Sequence, residues 1–107
     1  MLLEIQQQIA ELIAENQKGA TALFEAETRL AEAEHELDLI EQKAFIGAEG
    51  SVADRTAIAK LKAADARLQR DLRRAEFNRV KVKIKQIETA LMSLVTPAKL
   101  IQTEVRL

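Results

Sequence analysis

The chain has no cysteine, tryptophan or tyrosine, one histidine and only three phenylalanines in 107 residues. Without cysteine there is no disulfide and no thiolate metal site. The N-terminus lacks the basic stretch and apolar core of a secretory signal, and no apolar run approaches the roughly 18 residues that span a membrane. A cytoplasmic protein without membrane contact is therefore expected. Aromatics make up 3% and charged residues 31%, with heavy use of Ala, Glu, Leu, Lys, Arg and Gln. That is the composition of long helices and sets aside all-β and doubly wound folds. At this length one domain is expected, with little spare stability.

The net charge of −1 hides a division. Residues 1–50 carry eleven acids and three bases, whereas residues 51–107 carry thirteen bases and six acids. The bases are densest from Arg55 to Lys85.

Apolar or small residues recur at heptad spacing through the first half. The a positions are Leu2, Ile9, Asn16, Leu23, Leu30, Leu37 and Ala44; the d positions are Ile5, Leu12, Gly19, Ala26, Ala33, Ile40 and Gly47. A repeat sustained over so many heptads predicts a coiled-coil seam, with Asn16 fixing register and Ala26 and Ala33 admitting a close partner. In the second half Ile58, Leu61, Leu68, Leu72 and Ala75 form one stripe and Val80, Ile84, Ile87, Leu91 and Leu94 another. Their different phases predict a slip between Ala75 and Val80.

The stretch "AFIGAEGSVADRTA" (44–57) lies where the acidic and basic halves meet. Gly47 is expected to end the first helix in a left-handed conformation, Gly50 to allow reversal, and Ser51 with Asp54 to form a capping box. The expected fold is all-α: a long antiparallel helical hairpin with helix 1 over about 2–46, a turn at 47–51, helix 2 over about 52–95 and a tail at 96–107. Facing residues should have numbers totalling about 98, which pairs Leu37 with Leu61, Leu30 with Leu68, Ala26 with Leu72 and Leu23 with Ala75. Thr96 and Pro97 should end or bend helix 2, because the residue before proline avoids helical geometry. A short helix is favoured for the tail. A single hairpin leaves much apolar surface wet, so a homodimer or higher oligomer is expected, with a four-helix bundle as its form.

Catalytic chemistry finds little support. Glu32 and His35 have the Glu-x-x-His spacing of di-iron bundles, but at heptad positions c and f they face away from the seam. No motif gives Ser51, Ser93 or a threonine a histidine base, and "GAEG" lacks the Lys-Ser/Thr of a phosphate loop. Neither an enzyme, a cofactor, a metal nor a small-molecule substrate is expected. Two surfaces remain. Arg67, Arg70, Arg73, Arg74, Arg79 and Lys81 could track phosphates, although Phe77 is the one stacking residue in that patch. The competing reading is that these bases neutralise the acidic helix. Phe45, Ile46 and Val52 would put an apolar partner-binding tip at the turn.

The segment "AEGSVADRTAIA" (48–59), set between an acidic and a basic helix, resembles small bacteriophage-encoded helical-hairpin proteins associated with phage recombination genes. In general shape the chain is also similar to the Gam-type nuclease inhibitors, long coiled-coil dimers. The resemblance implies an accessory role in phage DNA metabolism, with DNA or a DNA-processing protein as partner. The alternative is a structural or chaperone-like assembly module that never meets nucleic acid.

Overall fold

The computed structural model describes residues 1–106, with side chains described for 1–96 and Lys99. The described residues form three helices and no strand: α1 (Leu2–Gly47), α2 (Val52–Lys62) and α3 (Ala64–Arg106).

Burial along α1 follows the heptads. From Leu2 to Ala44 every a and d position is buried or half-buried, and every other position up to Lys43 is exposed except Glu41. Asn16 and Gly19 are part of this strip. The all-helical reading and the α1 seam thus both appear in the structure.

The helix stop is built differently from expectation. α1 continues through Gly47 and closes with a hydrogen bond from the Ala48 N–H to the Phe45 carbonyl, 3.4 Å. The left-handed residue is Gly50, at φ 111°, and not Gly47. Ser51 then caps α2: its Oγ accepts from the Asp54 N–H at 3.2 Å, and the Asp54 carboxylate accepts from the Ser51 N–H at 3.3 Å. A Cβ at Gly50 would meet Asp54 at 3.1–3.2 Å, whereas one at Gly47 meets nothing within 4 Å. Gly50→Ala is therefore expected to cost about 1–2 kcal/mol, from left-handed strain and a disturbed cap. Gly47→Ala should be neutral or stabilise by up to about 1 kcal/mol through helix propensity. Thermal unfolding of the two variants measures the contrast.

The second strip corrects the sequence reading. Its buried and half-buried positions include Ala59, Ala63, Ala66, Arg70, Arg73, Phe77, Val80, Ile84, Ile87, Leu91 and Leu94, at unbroken three-four spacing. There is no phase slip between Ala75 and Val80. Leu61, Leu68 and Leu72, expected in the seam, are 78%, 55% and 52% exposed. Small size explains the choice: alanine lets helices approach closely, and the half-buried Arg70 and Arg73 lay their aliphatic stems along the seam with charged ends outward.

The stretch expected as one helix over 52–95 is interrupted at Ala63, which is fully buried and has φ −91° and ψ 6°. Helical hydrogen bonds span the break, from the Ala63 N–H to Ala59 and from the Arg67 N–H to Ala63. At the other end α3 runs through Thr96 and Pro97 to Arg106, so the expected stop at 95 is absent. Proline removes one backbone donor, which a helix this long tolerates at a local cost. Residues 98–106 extend α3 and do not form a separate helix; Leu107 lies outside the described residues.

The chain divides into two compact units: residues 25–78, and residues 1–24 with those from 79 onward. In the latter, Gly19 of α1 stands against Ile84 of α3, where a Cβ would lie 3.0 Å from Ile84 Cγ1. In 25–78, α1 is tied to α3 by Arg67 to Glu41, Arg74 to Glu34 and Arg29 to Glu76. The Gly19–Ile84 pair has numbers totalling 103 and not the expected 98. Within 25–78 the seam strips match at the same total, setting Leu37 level with Ala66, Ile40 with Ala63 and Ala44 with Ala59.

Candidate functional site

Four of the six bases expected to track phosphate lie in 25–78, and each is in an ion pair. Arg67 bonds Glu41 at 2.9 Å and Arg74 bonds Glu34 at 3.4 Å, both across to α1. Arg70 bonds Asp71 at 2.7 Å, and Arg73 bonds Glu76 at 3.1 Å. Glu34 and Glu41 are seven residues apart, as are Arg67 and Arg74, so the two crossing pairs form a ladder along one flank of the seam. Arg70 and Arg73 occupy seam positions whereas Arg67 and Arg74 lie on the flank, and of the four Arg74 alone is exposed, so they do not form one solvent-facing row.

Glu76 gathers one of these cations and one from α1. Arg73 donates to Oε2 and Arg29 to Oε1, the latter at 3.0 Å. The hydrogen bond from Arg73 holds the carboxyl below its usual range; partial loss of hydration opposes this, and the Arg29 charge adds to the lowering. A carboxylate whose pKa is lowered on folding contributes stability above its unfolded pKa and loses it as pH falls through its folded pKa. Glu76→Gln should therefore flatten the decline in stability on the acid side of the usual carboxylate range. Urea titrations at neutral and acidic pH test this.

The other two expected bases, Arg79 and Lys81, lie in the second unit and are exposed, as are Lys83 and Lys85. Arg79 makes no ion pair among the described residues. These four bases are spaced two residues apart along α3, so Arg79 and Lys83 share one side of the helix and Lys81 and Lys85 another.

At the turn the structure separates the three expected tip residues. Ile46 and Val52 are 74% and 70% exposed. Phe45 is half-buried under Arg55, whose guanidinium carbon sits 4.3 Å from the ring centroid while its Nε donates to the Phe45 carbonyl at 3.1 Å. One arginine thus stacks on the ring and ties the end of α1 to α2. The sequence signal for this clamp, an Arg ten residues beyond an aromatic and across a turn, is visible only once the turn's geometry is known. Beside it, Glu41, Gln42, Phe45, Ile46, Thr56, Ala59 and Lys60 line a cavity of about 420 Å³.

Glu32 and His35 are both exposed, and the described residues contain no cluster of three or more metal-ligating side chains. Nor is any helix among them long and apolar enough to cross a membrane. Compared with protein-family models, curated proteins and solved structures, the chain has no match.

Proposed function

We propose that the chain is an antiparallel helical hairpin that self-associates, with a four-helix bundle as the dimer, and works without catalysis as an accessory protein of phage type. On this reading it acts in phage DNA metabolism mainly through protein contacts. One observation supports it above others. Six residues are buried among those described, and four of them are alanines, with Leu37 and Ile87 the only larger ones. Long helices that bury so little, while Ile46, Val52, Leu61 and Leu72 stay exposed, lack the core a small chain needs to stand alone. Partners complete such a core, and the first available partner is another copy.

Direct DNA contact is a second reading, favoured by Arg79 and Lys83, exposed four residues apart on one side of α3. It no longer uses Arg67, Arg70, Arg73 and Arg74, whose ion pairs would have to break first. Light-scattering mass with and without a short DNA duplex, at low and moderate salt, separates the readings. Protein contact predicts a stable oligomer indifferent to DNA. DNA contact predicts a mass increase that salt abolishes and that Arg79→Glu with Lys83→Glu removes. A monomer that ignores DNA would defeat both.

A further inference from the structure

We propose that the open flank of residues 25–78 is the face on which a second copy of this chain docks, antiparallel, with the turn end of one copy against the opposite end of the other. The proposal rests on the self-associating reading above and adds which surface is used and in which direction.

The two flanks of the seam differ. One is closed by the Glu34–Arg74 and Glu41–Arg67 ladder. On the other, between the turn and the Arg29–Glu76 pair, Ala33, Ile40 and Ala66 floor an open groove of about 230 Å³, rimmed by Glu36, Asp65 and Gln69. The alanines create this space by being small where α1 meets α3. Exposed Leu39 on α1 and Leu72 on α3 border the same flank: each is three residues from a rim residue, Glu36 and Gln69 respectively, and so on the same side of its helix. An apolar groove bordered by exposed leucines is a surface prepared for contact.

Charge identifies the occupant. Near the turn this flank carries Lys43 and Lys62, with Asp65 one turn beyond Lys62; farther away it carries the Arg29–Glu76 pair, whose charges cancel, and Glu36, Glu32 and Glu25, which like the two lysines are exposed and make no ion pair among the described residues. A surface positive at one end and negative at the other complements itself only when two copies run in opposite directions. Copies laid in the same direction would stack lysine on lysine. With α1 antiparallel to α1 of a second copy, Lys43 falls level with Glu32 of that copy and Leu39 with its Glu36, and the two-fold repeats both contacts. A foreign partner would have to carry the same gradient, whereas a second copy has it by construction.

The test uses two charge-reversed proteins, Lys43→Glu with Lys62→Glu and Glu32→Lys with Glu36→Lys, in full-length chains. All four positions are exposed, and circular dichroism verifies that helicity is kept. Sedimentation equilibrium is expected to give a dimer for the unmodified chain, at least about tenfold weaker association for each variant alone, and a restored dimer when the variants are mixed. Leu39→Glu with Leu72→Glu should also weaken the dimer, by an independent route. If the unmodified chain dimerises and none of these variants changes it, this face is wrong while self-association stands. If both charge variants weaken association but their mixture does not recover it, the antiparallel pairing is wrong. A monomeric unmodified chain at high micromolar concentration would remove the self-associating reading itself.

Discussion

Leu37→Ala is expected to lower the free energy of unfolding by about 3 kcal/mol, while Leu61→Ala lowers it by about 0.5 kcal/mol or less. The two leucines look alike in sequence, and simple folding about the turn makes them partners. In the structure Leu37 is 6% exposed and Leu61 is 78% exposed. Removing Leu37 takes three carbons from a packed seam that has few large side chains, so little can collapse into the gap. Removing Leu61 takes them from water. Urea unfolding at one fixed protein concentration measures the difference, since the stability of a self-associating chain depends on concentration. Equal losses would restore the pairing of Leu37 with Leu61 and displace Ala66 from the seam.

What the sequence made legible depended on how strongly each choice was fixed locally. The α1 seam was readable because its heptads are nearly unbroken and only Asn16 is polar, so one period accounts for burial along the helix. The Ser51–Asp54 cap was readable because it needs only four residues. The second seam was not, because hydrophobicity pointed to Leu61, Leu68 and Leu72 while the positions that face α1 are Ala59, Ala63, Ala66, Arg70 and Arg73. A rule that ranks residues by apolarity places arginine outside and leucine inside. Here continuity decides: Val80, Ile84, Ile87, Leu91 and Leu94 extended backward at the same spacing meet the alanines and arginines without a slip. The left-handed glycine was misplaced for a related reason, since Gly47 and Gly50 are chemically identical and only the helix's actual end distinguishes them.

The candidate site was altered by the same seam. A run of arginines in sequence is a run of charge, but on a helix consecutive members face different ways, and the acidic α1 reaches some of them first. Glu34 and Glu41 take Arg74 and Arg67, and the seam takes Arg70 and Arg73. The division into acidic and basic halves therefore serves pairing between α1 and α3 in residues 25–78, beyond which Arg79, Lys83 and Lys85 are exposed. Each exposed pair contributes only about 0.2–1 kcal/mol, so the ladder selects a register more than it stabilises one.

The sharpest test of that register compares two neighbouring alanines. Ala63 is fully buried at the break between α2 and α3, and Ala64, the first residue of α3, is exposed. Ala63→Leu adds an isopropyl group at a fully buried seam position, level with Ile40. Ala63 has no exposed surface to grow from, and the backbone there already departs from helical geometry. Either the helices move apart or the side chain takes a strained rotamer, and the expected loss is about 3 kcal/mol, at the upper end for overpacking. Ala64→Leu meets solvent, and because leucine is nearly as good a helix former as alanine, the expected change is within about 0.5 kcal/mol. Unfolding by urea with circular dichroism distinguishes them directly. If the Ala63 variant is as stable as the unmodified chain, α1 does not lie against that turn of α2, and the alanine seam cannot be what sets the spacing of the helices in residues 25–78. If it is destabilised while the Ala64 variant is not, a single carbon's difference in burial has located the contact that the leucines of the sequence concealed.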